Sequence, residues 1–299
     1  MSRIVANSLL LLAGAIWGMG FIAQSSAMDA VGPWTYTAVR FALASLSVLP
    51  FAVREARRAP QPLSRRDWHG FLVVGAMMFL GSIIQQVGIA FTSVTNAGFL
   101  TGLYVVITPL LAMVLLRHRA HWVVWPSAAA AFVGIVLIGG GKLAALGRGD
   151  ALMVLCAVFW ALQILSVGFF AGRGSRPLAL SCAQFAITSV LSFVGMAVLE
   201  PFSLNAILSA WPEIVYGGVF SCGFAFTLQI IGQRYTTAPQ AAIFLSSESL
   251  FAALFGAIVL GERIAAIGLF GCALIFAAML AVELVPLLAG GRRAQASAN

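Results

Sequence analysis

One carboxylate, Glu248, stands inside the apolar stretch AIFLSSESLFAALFGAIVLGE, residues 242–262. An acidic side chain at the centre of a membrane-spanning helix costs roughly 2.5–3.5 kcal/mol on insertion scales. Such a residue asks for a function or a partner. Phe244, Phe251 and Phe255 lie four residues before it, three after and seven after, which predicts three rings and the carboxyl on one helix face. The chemistry open to it is contact with a substrate ammonium group, carriage of a proton, an ion pair with Arg40, or a neutral hydrogen bond to a neighbouring helix. Ser246 is the nearby hydroxyl that would share a polar cargo with it.

Other polar residues fall at spacings that gather them on helix faces. Thr101, Tyr104 and Thr108 form a hydroxyl face at i, i+3 and i+7, bracketed by Asn96 and Pro109. Pro109 removes a backbone hydrogen bond and predicts a loosened or kinked helix, while Gly98 and Gly102 make a small-xxx-small pair suited to close helix approach. Trp17, Phe21 and Gln24 share one face, and Trp160 and Gln163 share another. Both tryptophans sit deep in apolar runs, away from the headgroup belt where Trp is usual, and an indole N–H there needs a partner. Gln85, Gln86 and Gln229 add neutral donors and acceptors. Arg40 could hold a carboxylate or snorkel outward from its helix.

Several kinds of chemistry lack their residues. His69, His118 and His121 fall near helix ends or in a basic loop, no H-E-x-x-H occurs, and the four cysteines lie within apolar spans rather than in loops. No metal site, cofactor or catalytic constellation is expected, so the chain is not read as an enzyme. The segment GGGK resembles a phosphate-binding loop but has Val136 at the first glycine position and Leu143 after Lys142. Nor is there a midplane cluster of Lys and Arg to neutralise a sugar phosphate.

These residues need a membrane to position them. The chain has 299 residues, 61% hydrophobic and 9% charged, with a mean hydropathy of +1.01, outside the range of soluble domains. Apolar windows long enough for a hydrocarbon core of about 30 Å predict ten spans, at 4–28, 33–53, 68–91, 94–116, 121–139, 150–171, 177–199, 211–233, 237–260 and 264–288. The start of the chain resembles a signal peptide, but its apolar run is too long and is read as the retained first helix.

The net charge of +8 is a topology signal rather than a nucleic-acid patch. Arg3, Arg54, Arg57, Arg58, Arg65, Arg66, Arg117, Arg119, Arg173, Arg176, Arg234, Arg292 and Arg293 fall on one side. The other side holds Lys142, Arg148 and Arg263. Both termini are therefore expected in the cytoplasm.

The chain also repeats itself at an offset near 143–144 residues. Trp17 matches Trp160, the run from Arg40 matches that from Gln184, Trp68 matches Trp211, and Gln85 matches Gln229. Five helices per copy is an odd number, so the second copy enters the membrane inverted. Inverted repeats are how many secondary transporters build two access states around a midplane site. The expected architecture is all-α and polytopic: ten transmembrane helices as two inverted five-helix repeats around a central cavity. Residues 1–139 form the first repeat, 140–149 the linker, 150–288 the second repeat and 289–299 a cytoplasmic tail.

The chain resembles the EamA-type exporters of the drug/metabolite transporter superfamily. The resemblance rests on AIWGMGF, VRFALASL, AFTSVTNAGFLTGLYVVITPLLA and APQAAIFLSSESLFAALFGAIVLGERI, and runs through nearly the whole chain in two copies. Trp17 and Gly18 match the family's helix 1 motif, Glu248 its helix 9 acid, and Gly261 with Glu262 its exit motif. Ser249 stands where the family has proline, and RHRAH replaces the first copy's exit motif. The resemblance implies a carrier of the bacterial inner membrane that exports amino acids, most like the exporters of aromatic and neutral types, by alternating access.

The expected cargo is a small amphipathic molecule bound by Trp17, Gln24, Gln85, Asn96, Thr101, Tyr104, Trp160, Gln163, Gln229, Ser246 and Glu248. Export of toxic drugs or nucleobase-like metabolites is the alternative, and a membrane receptor or scaffold a more distant one. The expected partners are the cargo and the bilayer, not nucleic acid; proton exchange and facilitated diffusion both stay open.

Overall fold

The structure is a computed structural model that describes residues 1–92, 94–117, 121–138, 147–171, 176–259 and 266–296. The side chains of 94–96, 99, 138, 283 and 287–296 are outside that description. Among the described residues the chain is all-helical. Its helices are α1 (Arg3–Ala27), α2 (Pro33–Arg58), α3 (Arg65–Ile89), α4 (Val94–Thr101), α5 (Tyr104–Leu115), α6 (Val124–Ile138), α7 (Arg148–Phe170) and α8 (Pro177–Leu199). There follow the short α9 (Leu204–Ser209), α10 (Trp211–Val215), a π-helical segment Tyr216–Phe226, α11 (Thr227–Gln233), α12 (Ala238–Leu245), α13 (Ser247–Val259) and α14 (Ala266–Ala296).

Among the described residues, eight helices are long and apolar enough to cross a membrane when the segmented Trp211–Gln233 and Ala238–Val259 each count as one. The spans expected at 94–116 and 121–139 correspond instead to the broken pair α4–α5 and to α6, whose apolar helices Tyr104–Leu115 and Val124–Leu137 are shorter. The exterior is apolar: Val198 is 78% exposed, Ile258 69% and Val114 68%. Glutamines 85, 86, 163, 184 and 229 are buried instead. A water-soluble fold would not expose so much hydrocarbon while hiding its amides; a lipid-facing surface around a polar interior would.

Four pairings dominate the packing: α2 with α8, α3 with α7, α6 with α14, and α1 with α13. The π segment also packs on both α1 and α2, and α7 packs on α4 and α5. The α2–α8 pair is antiparallel and is pinned at both ends by carboxylates. Glu200, just past the end of α8, accepts from the backbone N–H of Trp34 (2.9 Å) and Thr35 (2.8 Å) and from the Thr35 hydroxyl (2.7 Å) at the start of α2. Glu55, in the last turns of α2, accepts from the N–H of Leu178 (3.3 Å) and Ala179 (2.9 Å) at the start of α8. Each of these helices begins with proline at N1 and has no side-chain cap of its own. Each receives from the other the acceptor that its unsatisfied N–H groups and positive dipole end favour.

Helix interruptions depart from expectation. Pro109 lies within α5 without ending it, and the break falls at Gly102–Leu103. Gly98 has no heavy atom within 4 Å of where a Cβ would stand, so it supports no close helix approach. The second break is at Ser246, whose hydroxyl donates to the carbonyl of Ile243 (2.8 Å). Two sequence boundaries also shift: α7 begins at Arg148, inside the segment expected as linker, and α14 continues to Ala296, into the segment expected as tail. Residues 140–146 of that linker, and Gly261 and Glu262 of the exit motif, lie outside the described residues.

Candidate functional site

The break at Ser246 decides where Glu248 sits. It makes Glu248 a first-turn residue of α13 rather than a mid-helix one, next to the free N–H groups and positive end of a half-helix, where a carboxylate is favoured. Helix α1 reaches this point through Gly14 and Gly18. A Cβ at Gly14 would stand 2.3 Å from Ser247 Oγ, and one at Gly18 would stand 2.6 Å from Phe251 Cβ and 2.7 Å from Ala252 N. The two glycines bring the α1 backbone against α13, as small-xxx-small pairs do in membranes. Trp17, between them in sequence, thereby faces the same space as Glu248.

That space is a cavity lined from both halves of the chain. Of the residues expected at a site, Trp17, Gln24, Gln85, Thr101, Tyr104, Trp160, Gln163, Gln229 and Glu248 line it. Ser246 does not: it is fully buried, and its hydroxyl satisfies the helix break. The side chain of Asn96 lies outside the described residues. Thr108 turns away to bond the carbonyl of Tyr104 (2.7 Å), which leaves Thr101 and Tyr104 as the hydroxyls of that face.

The aromatic part of the wall is a stack rather than the expected Phe244–Phe251–Phe255 face, none of which lines the cavity. Phe226 lies between the two tryptophans, its ring centroid 4.5 Å from that of Trp17 and 5.5 Å from that of Trp160, the latter nearly parallel. Both indoles are fixed by hydrogen bonds: Trp17 Nε1 donates to the carbonyl of Ser221 (2.9 Å) and Trp160 Nε1 to Gln85 Oε1 (2.9 Å). Ser221 and Cys222 come from the π segment, whose wider winding carries them into the lining.

The polar part of the wall is only partly satisfied. Gln229 donates to Gln163 Oε1 and to Gln233 Oε1 (3.0 Å each), and Gln163 donates to Gln184 Oε1 (3.3 Å). Gln24 Oε1, Ser82 Oγ, Tyr104 Oη, Gln229 Oε1, Glu248 Oε1 and Arg40 Nε are buried atoms of lining residues that find no hydrogen-bond partner among the described residues. Tyr104 lies close enough to Glu248 for the two to interact, but at no hydrogen-bonding geometry. Buried polar atoms without partners each cost on the order of 1–3 kcal/mol, and several converging on one cavity are what a polar ligand would satisfy. No cluster of metal-ligating side chains exists among the described residues.

Sequence reasoning did not place Phe41, Ser82, Ile164, Ser221, Cys222 or Phe226 in the site, although all line it. Phe226 ends the apolar run VFSCGFAF, in which no helical face stands out. Its only available signal is Gln229, three residues on.

Comparison with known proteins agrees with this architecture. Over 283 residues the chain is 31% identical to an uncharacterized transporter of Archaeoglobus fulgidus, covering 94% of this chain and 87% of that one. An uncharacterized transporter of Clostridium kluyveri is 21% identical over 255 residues, covering 81% of this chain and 80% of its own. A crystal structure 20% identical in sequence covers 95% of this chain and 98% of its own with a TM-score of 0.78, which shows a shared fold. The model of the EamA-like transporter family matches twice, at residues 4–140 and 147–284. A multi-pass helical chain that carries this family's unit in both halves belongs to the EamA-like transporter family.

Proposed function

We propose that the protein is a secondary carrier that exports amino acids and related small amphipathic metabolites across a bacterial inner membrane by alternating access, with both termini in the cytoplasm. The observation that carries this reading is the pairing, in one cavity, of an aromatic stack with a carboxylate that makes no ion pair among the described residues. The rings of Trp17, Phe226 and Trp160 would hold the apolar body of the cargo. Glu248 would take its ammonium group, and the amides of Gln24 and Gln229 with the Tyr104 hydroxyl would meet its remaining polar atoms. The chemistry is binding alone, with no covalent step.

Alternating access is supported by the way the helices pair. The α2–α8 contact joins elements 144–145 residues apart, and its two carboxylate clamps exchange places: Glu55 on α2 accepts from Leu178 and Ala179, and Glu200 beyond α8 accepts from Trp34 and Thr35. The packing of α3 on α7 has its counterpart in α1 on the segmented helix 211–233, and that of α7 on α4–α5 in α1 on α12–α13. Such a pattern is what two inverted five-helix units would make, and residues of both halves of the chain line the cavity. Tilting one unit against the other would open it to each side in turn.

Efflux from living cells tests the reading. Cells preloaded with labelled phenylalanine are expected to release it several-fold faster when they make the wild-type protein than when they make Glu248→Gln at equal membrane abundance. Equal release from both would overturn it.

A further inference from the structure

Arg40 is the second charge of the cavity, and the ammonium contact proposed for Glu248 leaves it unexplained. It is 3% exposed, lines the cavity, and its Nε has no hydrogen-bond partner. Its guanidinium carbon stands 4.8 Å from the ring centroid of Tyr36 and 5.1 Å from that of Phe41. These rings support a cation but supply no counter-charge. Neither acid in its surroundings forms an ion pair with it among the described residues: Glu213 accepts from Ser26 Oγ (3.1 Å), and Glu248 shares the same lining.

Unlike a lysine or a carboxyl, arginine cannot shed its charge by changing protonation. A permanent, unpaired cation inside a membrane protein is expensive. Snorkelling does not relieve it either, because the π segment closes over α2 here: a Cβ at Gly218 would stand 2.8 Å from the carbonyl oxygen of Arg40. At the repeat-related position the chain has Gln184, which is neutral and already bonded to Gln163. The positive charge is therefore specific to one half of the cavity rather than required by the helix pairing.

We infer that Arg40 is an anion subsite that receives the carboxylate of the cargo, so that the cavity selects molecules carrying both a carboxylate and an ammonium group. This rests on the proposed transport of amino acids and deepens it. The guanidinium offers a planar fork of donors matched to a planar carboxylate. Chemistry favours the zwitterion over other oxyanions: it presents a carboxylate to Arg40 and an ammonium group to Glu248, and a phosphate dianion offers nothing to the acid.

Three probes on the full-length protein in lipid nanodiscs test the inference by isothermal titration: phenylalanine, phenethylamine, which lacks the carboxylate, and 3-phenylpropanoate, which lacks the ammonium. The loss of a charge-assisted hydrogen bond corresponds to roughly tenfold or more in affinity. Arg40→Gln is expected to weaken phenylalanine and 3-phenylpropanoate by that factor while changing phenethylamine less than about twofold. Arg40→Lys, which keeps the charge but not the fork, is expected to recover part of the loss. Unchanged binding of the amine also shows that the variant is folded.

The inference is overturned if Arg40→Gln weakens all three probes alike or none, or if the wild type binds the amine as well as the amino acid. Glu248→Gln separates the two readings. Probes that depend on Arg40 but not on Glu248 would sink the ammonium contact and keep the anion subsite; the opposite pattern would do the reverse.

Discussion

Trp160 is held from three directions. Its indole N–H bonds Gln85, Phe226 stacks on one face, and a Cβ at Gly81 would stand 3.2 Å from its ring. A wall fixed this way presents a flat apolar surface without having to be ordered by the cargo, which lowers the entropic cost of binding. Gln85→Leu would leave the indole N–H buried and unpaired, at a cost on the order of 1–3 kcal/mol. The expected result is a lower thermal unfolding midpoint and a raised KM for aromatic cargo, both measurable on the purified protein. Much of the lining was legible at this scale, because polar residues inside apolar helices have few reasons to be there. Gln24, Gln163 and Glu248 announced themselves in that way. Phe226 and Cys222 did not, since an apolar residue in an apolar span carries no signal of direction and the π segment alters the periodicity that would supply one.

At the level of elements, most span positions could be read from hydropathy, and α8 and the segmented span 211–233 begin and end where the sequence placed them. The interruptions could not. Pro109 looked like the weak point of its span, yet the helix breaks at Gly102–Leu103, and the Ser246 break has no proline to mark it. At the Ser246 break the packing is tertiary: α1 presses through Gly14 and Gly18 onto the start of α13. Gly18→Val would force the two backbones apart, and loss of transport with retained membrane insertion is the expected outcome, checked by abundance and exchange rate together.

The carboxylate clamps were equally invisible, because each joins residues more than 120 positions apart. Glu55→Gln and Glu200→Gln should each lower stability by about 1 kcal/mol, as the loss of a helix cap does. The clamps sit near opposite ends of α2, at Thr35 and Glu55, roughly 30 Å apart at 1.5 Å per residue, so their effects should add. Thermal unfolding of both single variants and the double variant checks this, and strong non-additivity would mean that α2 and α8 are coupled by something besides the clamps.

For the whole molecule, the membrane class followed from composition, and the two-copy organisation from weak matches at one offset that only their agreement made informative. A central cavity was expected from the repeats, but its full lining was not legible, because it arises where helices distant in sequence meet. Its central role can be tested directly with purified protein in proteoliposomes loaded with unlabelled phenylalanine, by following counterflow of labelled phenylalanine from outside. The account predicts rapid uptake by the wild type and by Trp68→Ala, whose side chain is 56% exposed and outside the cavity, with at least a tenfold slower rate for Glu248→Gln and Trp160→Ala. Counterflow in those two variants at the wild-type rate, or none in the wild type above protein-free liposomes, would contradict it.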